Sequence, residues 1–162
     1  MTSVHAVRVE ENERFGKHIV ATRTIVPGDT VLECRYEAEA LKDEPSMHTV
    51  QISAKQHCLV SNDMEFTAHA CDPSCHLVLD AGACRLVALR QLEPGDLVSF
   101  DYCTTEWDVL CPFDCGCGAP QCVGRVRGFR HLTAERAKQL APVAQQWMVE
   151  LREAMSEEAA HK

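Results

Sequence analysis

"FDCGCGAPQCVG", residues 113–124, places Cys115, Cys117 and Cys122 within eight positions. Thiolates sharing a tetrahedral zinc sit about 2.3 Å from the metal, and C-x-C or C-x2-C turns let neighbouring sulfurs converge. Gly116, Gly118 and Pro120 lie among these cysteines and suit the tight turns required. The stretch offers three ligands, so a four-coordinate site needs one more from elsewhere in the fold. By chemistry Cys71, Cys75, Cys111, His69 and His76 all qualify, and spacing does not choose among them.

Working outward, 162 residues are enough for one domain with a genuine core. Composition is that of a globular chain, 46% hydrophobic and 25% charged, and the net charge of −8 argues against direct nucleic-acid binding through phosphates. It suits a cationic substrate or a basic partner. No apolar run approaches the ~18 residues of a membrane span, so no membrane contact is expected. The opening "MTSVHAVRVEENERF" (1–15) has no signal-peptide core, so the expected location is intracellular, nuclear or cytoplasmic. Ten cysteines in a reducing compartment favour metal binding over disulfides. A dithiol redox role for C-x-C is the weaker alternative.

Two segments resemble each other: "TIVPGDTVLE" (24–33) and "QLEPGDLVSF" (91–100). Each reads as an edge, a Pro-Gly-Asp turn and a β-rich run, since Pro presets φ and Gly tolerates positive φ. "HIVA" (18–21), "HLVLD" (76–80) and "CRLVALR" (84–90) are further strands, the last two joined by the hairpin-length "AGA". Residues 40–65 are mixed and polar and read as a loop with at most a short helix. From Thr133 to about Ala159, apolar residues at Ala137, Leu140, Ala144, Trp147, Met148, Leu151 and Met155 fall at helical spacing. Thr133 is the expected N-cap, and Pro142 should kink or split the helix near Leu140. The Trp147 stripe either docks on the β core or forms a partner face, including a homodimer through the C-terminal helix.

"FTAHACDPSC" (66–75), then "PGDLVSFDY" (94–102), then the cysteine cluster, together resemble the SET-domain protein lysine methyltransferases. In that family a motif similar to R-F-x-N-H-S-C-x-P-N precedes a strand pair ending G-E-E-L-x-F-D-Y, followed by a post-SET C-x-C-x4-C. "GKHIVATRTIVPGDTVLE" (16–33) is similar to the family's opening G-x-G-V-x-A…I-x-x-G-x-x-I-x-E. The resemblance covers about residues 12–130. It implies a mostly β SET-domain fold of several small curved sheets with a C-terminal pseudoknot, plus a C-terminal helical tail. The implied division is a SET domain at 1–110, a post-SET zinc-binding segment at 111–130 and the tail at 131–162.

The resemblance also implies chemistry. Cys71 becomes the fourth ligand, joining Cys115, Cys117 and Cys122 on a structural zinc. The implied activity is methyl transfer from S-adenosyl-L-methionine to a lysine amine, with Tyr102 as the catalytic hydroxyl. Lys17, His18, Ala68, His69, Tyr102 and Val126 are the implied cofactor contacts. Phe100 and Phe66 are the channel candidates, Phe66 reading as core rather than as channel wall. Phe100 lies two residues before Tyr102, on one strand face by the period of two. A Phe there implies room for di- or trimethylation. The implied substrate is a basic protein or peptide lying in the groove as an added strand, or else a free amino acid or small amine. "TTEWDVLCPF" (104–113) matches no part of the general pattern.

The chain departs from the family at four positions. Ala68 stands for the motif's Asn, His18 for the second Gly of the opening turn, Glu65 for the Arg and Ser74 for the second Asn. A lost hydrogen bond to a charged group costs about 1.5–3 kcal/mol, roughly tenfold to a hundredfold in cofactor affinity. The alternative reading is therefore a zinc-stabilised SET-like binding module without turnover.

Overall fold

Two Pro-Gly-Asp turns organise the β-rich part of the chain. In the computed structural model, which describes residues 6–160, Gly28 and Gly95 adopt φ of +90° and +92°. That conformation is open to glycine and strained for other residues, so the turns stop the strands where the sequence expects. Asp29 N–H closes one turn on the Val26 carbonyl at 3.1 Å, and Asp96 N–H the other on Glu93 at 2.9 Å. The two resembling segments also meet. Ile25 and Leu92 exchange a pair of 2.9 Å backbone hydrogen bonds, and both side chains are buried.

Short strands radiate from these turns. β1 (Val7–Asn12) and β2 (Gly16–Ala21) form an antiparallel hairpin. β3 (Thr30–Arg35) precedes a small sheet of β4 (Leu41–Lys42), β5 (Thr49–Gln51) and β6 (His57–Leu59), in the order β4-β6-β5. β7 (Ala68–His69) comes next, and then β8 (Cys75–Asp80) and β9 (Ala83–Ala88) join β3 in the order β3-β9-β8. The expected 76–90 hairpin is thus present. Residues 40–65 differ from the loop expected of them. Their strands are two or three residues long, too short to show a period of two, and cross-strand pairing makes the sheet.

β10 (Ser99–Phe100) runs parallel to β7, pairing Ser99 with Ala68 and Phe100 with His69. This lays residues 99–102 beside the 66–75 loop, as the expected threading requires. Ser74 ties the two together. Its hydroxyl accepts Ser99 N–H at 2.9 Å and donates to the Leu97 carbonyl at 3.0 Å. A buried serine here replaces the expected amide with a hydroxyl that is fully used. One corrected detail is local: Tyr102 does not continue the strand but opens a 3-10 turn, Tyr102–Thr104, capped by the Asp101 carboxylate on Cys103 N–H at 3.0 Å. The Phe100 and Tyr102 rings still meet, with centroids 4.9 Å apart.

β11 (Phe113–Asp114) and β12 (Arg125–Val126) bracket the cysteine cluster as an antiparallel pair. α1 (Ala134–Leu140) starts where Thr133 Oγ1 accepts Arg136 N–H at 3.2 Å, and α2 (Gln146–Ala160) starts after Pro142 has broken the helix. Among the described residues, no helix is long and apolar enough to cross a membrane.

Two apolar cores result. The first gathers Ile19, Ile25, Val31, Leu86, Leu92, Val98 and their neighbours. The second joins Cys103, Val126, Phe129, Leu132, Leu140 and Met148. Each fully buried Leu or Ile contributes about 1.5–3 kcal/mol of transfer free energy. Trp147 packs against the second core, its ring 6.1 Å from that of Trp107, while Leu151 and Met155 further along the same stripe are exposed. Gly128 brings this core against residues 107–108, because any Cβ there would collide with the Trp107 carbonyl. Tyr102 packs against both cores.

Candidate functional site

The four cysteines converge. The sulfurs of Cys71, Cys115, Cys117 and Cys122 all lie within 4.8 Å of one another, with Cys71 Sγ 3.9 Å from Cys115 Sγ. That spacing is too long for a disulfide and suits sulfurs on adjacent corners of a tetrahedron around zinc. Backbone N–H groups point at the sulfurs, Val123 to Cys71 at 3.5 Å and Gly124 to Cys122 at 3.4 Å. Such donors favour thiolates over thiols. A soft all-sulfur donor set with this geometry fits zinc. Cys75, Cys111, His69 and His76, the other ligands open by chemistry, are not part of the cluster.

His69 links this cluster to Tyr102. Its Nδ1 accepts Tyr102 N–H at 3.1 Å, which leaves its proton on Nε2, 3.4 Å from Cys71 Sγ. Burial lowers the His69 pKa, keeping the ring neutral; Asp101 opposes that shift and Arg136 adds to it. A second tie comes from α1. Arg136 donates to Asp101 Oδ2 at 3.0 Å and to the Cys71 carbonyl at 2.8 Å. Asp101 is 2% exposed, so this ion pair is buried and directional.

Two cavities meet at Tyr102. A narrow one of about 140 Å³ is walled by Val50, Val60, Met64 and Phe100. A wider one of about 480 Å³ is lined by Arg14, Phe15, Lys17, Phe66, Ala68 and His69. Tyr102, Thr67, Glu65, Met47 and Phe113 border both. The Tyr102 hydroxyl donates to the Thr67 carbonyl at 2.6 Å. Burial, followed by the nearby Glu106 carboxyl, pushes the phenol up to about 12, so it stays protonated at neutral pH.

The sequence-derived residues distribute unevenly over this site. Lys17, Ala68, His69 and Tyr102 line the wider cavity. The Lys17 ammonium sits 5.5 Å above the Phe66 ring, which places Phe66 on the wider cavity and not in the narrow channel. Phe100 lines the narrow cavity. His18 is buried beside Asn12 with its ring on its own Gly16 carbonyl, 2.9 Å away, and does not border the cavity. Its ring packs on Phe15, centroids 5.5 Å apart, and Phe15 itself lines the wider cavity. Val126 is fully buried in the second core and pairs with Phe113 across β11 and β12. Phe113 is the residue that reaches His69 and Tyr102, edge-on at 5.7 and 6.1 Å.

Sequence reasoning missed Phe113, Thr67, Arg136 and Glu106. Phe113 was visible as an aromatic two positions before the first clustered cysteine. Thr67 acts through its carbonyl, for which no side-chain signal exists.

The residues around the wider cavity fit S-adenosylmethionine in charge and in the aromatic surface they offer. Glu65 Oε2 is buried with no hydrogen-bond partner among the described residues, and Glu65 borders both cavities. A buried carboxylate oxygen left unpaired costs free energy that a cationic ligand would recover. Lys17 and Arg14 supply the opposite charge for a carboxylate, and Phe15 and Phe66 supply aromatic surface.

Comparison with known proteins agrees with this arrangement. A model of the SET domain family matches residues 16–103, more than half of the chain. Methyltransferase flvH of Aspergillus flavus is 31% identical over 86 residues, which are 53% of this chain and 48% of that protein. The chain thus spans about half the length of the curated relative it matches. A solved structure of a proposed histone methyltransferase from Plasmodium falciparum superposes with a TM-score of 0.52 at 9% identity, covering 60% of this chain and 92% of that one. At that identity the likeness speaks to the fold alone. The matched segment contains the second strand of the opening hairpin, the 66–75 loop and Tyr102, and the chain belongs to the SET domain family.

Proposed function

We propose that the chain transfers methyl groups from S-adenosylmethionine to the side-chain amine of a lysine in a basic protein or peptide. The observation that carries this reading is the position of Tyr102, at the meeting point of a narrow, mostly apolar cavity and a wider one that carries Arg14 and Lys17. When bound in the wider cavity, S-adenosylmethionine supplies an electrophilic methyl group on a sulfonium. Lys17, Arg14, Glu65 and the β7 backbone at Ala68 and His69 would hold it.

The narrow cavity does the rest. Val50, Val60, Met64 and Phe100 strip water from an entering lysine and depress its pKa, so that a neutral amine is presented. The Tyr102 hydroxyl spends its one hydrogen on the Thr67 carbonyl as a hydrogen-bond donor, which leaves the lone pairs of its oxygen to face the junction as acceptors. An acceptor there orients the amine and meets positive charge developing on the transferring methyl hydrogens. Phe100 carries no hydroxyl to fix a water in the channel, which supports repeated methylation. Cys71, Cys115, Cys117 and Cys122 would hold structural zinc, pinning the 113–126 segment over the wider cavity.

Isothermal titration with S-adenosylmethionine tests the reading at its first step. Micromolar to submillimolar binding, followed by label transfer to a basic protein extract more than to free lysine, supports it. Transfer to free lysine alone would move the substrate to a small amine, and absent cofactor binding would reduce the chain to a binding module.

A further inference from the structure

We propose that Glu106 is the proton acceptor for the substrate ammonium, an assignment that rests on the amine-methyltransferase reading above. The methyl-accepting nitrogen enters as R–NH3+ and has no lone pair until it loses a proton. Its environment in the narrow cavity is chemically lopsided. The titratable side chains facing that space are Glu106, Glu65, Tyr102, His48 and Cys111, and no Lys or Arg lines it among the described residues. The phenol is held as a hydrogen-bond donor to Thr67 and resists ionisation.

Glu106 is held for the task. Its Oε1 accepts Gln51 N–H at 2.9 Å and the Thr105 hydroxyl at 3.3 Å. Its Oε2 makes no hydrogen bond among the described residues, and the side chain borders the cavity that contains Tyr102. The backbone around it is fixed from three directions. Glu106 N–H donates to the Tyr102 carbonyl at 2.9 Å, Phe129 N–H donates to the Glu106 carbonyl at 2.9 Å, and Trp107 N–H donates to Gln51 Oε1 at 2.9 Å. Gln145, just before α2, bonds the carbonyls of Gln51 and Thr105. The helical tail therefore braces the carboxylate, which gives "TTEWD" and the tail a shared role that neither shows alone.

The step balances simply. One N–H bond breaks, its electron pair stays on nitrogen as the attacking lone pair, and the proton forms an O–H bond on the Glu106 carboxylate. The acid so formed returns its proton to solvent through the cavity mouth. Burial pushes the Glu106 carboxyl up to about 7, against the lowering effect of the Gln51 N–H and Thr105 hydroxyl bonds. A base near neutrality accepts a proton from a desolvated ammonium and releases it again at physiological pH.

The test uses the full zinc-loaded chain and its Glu106→Gln variant, whose amide oxygen still accepts the Gln51 and Thr105 bonds. With n-butylamine as probe and labelled S-adenosylmethionine, transfer rates are followed from about pH 5.5 to 9.5. The wild type should rise to a plateau with a break near 7. The variant should fall by about 100-fold at neutral pH and lose that break, with cofactor affinity within about twofold of wild type. Carbon-13 NMR of the labelled carboxyl should show Glu106 itself titrating near 7. A variant with wild-type rates and the same break, or a Glu106 titrating near the ordinary ~4.3, overturns the proton-acceptor role alone. A wild type that binds no cofactor and methylates neither n-butylamine nor a basic protein removes the functional reading, and this assignment with it.

Discussion

The Tyr102 hydroxyl donates a 2.6 Å hydrogen bond to the carbonyl of Thr67, across 35 residues of sequence. That bond fixes where the phenol oxygen points, at the border of both cavities. Replacing Tyr102 by Phe removes the hydroxyl and leaves the ring contacts with Phe100 and His69 in place. Methyl transfer should drop by at least about 100-fold, while stability falls by only about 1 kcal/mol. Labelled-transfer rates beside urea unfolding check both halves, and unchanged turnover would remove Tyr102 from its role.

Zinc should be integral to the folded state. A Cys117→Ser variant loses one of four sulfurs that lie within 4.8 Å of one another. Metal analysis should show well under one zinc per chain, and cofactor affinity should fall with it, because Cys115 and Cys117 border the wider cavity. Full zinc occupancy in the variant would contradict the ligand set.

Arg136 reaches from α1 to Asp101 and to the Cys71 carbonyl. Its removal strands a carboxylate that is 2% exposed. Arg136→Ala should therefore cost about 3 kcal/mol in urea unfolding, well beyond a surface ion pair. A loss under about 1 kcal/mol would mean that water reaches Asp101.

The Glu106 carboxyl also sets a pH dependence of stability. Its pKa is raised on folding, to about 7 from 4.5. A raised folded-state value contributes stability that is fully present below the unfolded pKa and is lost as pH rises through the folded one. The melting temperature of the wild type relative to Glu106→Gln should thus decline between about pH 4.5 and 7 and level off above. A flat difference across that window would place Glu106 in contact with water.

Ala68 stands where the family motif has an amide, and it borders the wider cavity. Ala68→Asn should tighten S-adenosylmethionine binding by about tenfold in calorimetry, the value of one hydrogen bond to a charged group. No change would mean that the backbone of β7 already meets that need.

Much of this was legible in the chain. Pro-Gly-Asp turns announce themselves because only glycine takes φ near +90° without strain. Thr133 and Pro142 mark helix ends through their own backbone chemistry. The cysteine cluster and Tyr102 were reachable through ordered motifs. What stayed hidden depends on partners distant in sequence. The β4-β6-β5 sheet has strands of two or three residues, and pairing alone defines them. His18 and Val126 occupy the expected sequence positions but turn to other neighbours, Gly16 and the second core. Glu106 lies in a stretch with no recognised pattern, and only the fold shows that its carboxylate enters an apolar cavity.

Mass spectrometry of lysine-containing basic proteins after incubation with the zinc-loaded chain and S-adenosylmethionine tests the central claim most directly. The account predicts mono-, di- or trimethyl groups on a lysine nitrogen, absent when Tyr102 is replaced by Phe. Unmodified lysines with the wild type, or equal methylation by both proteins, would contradict it.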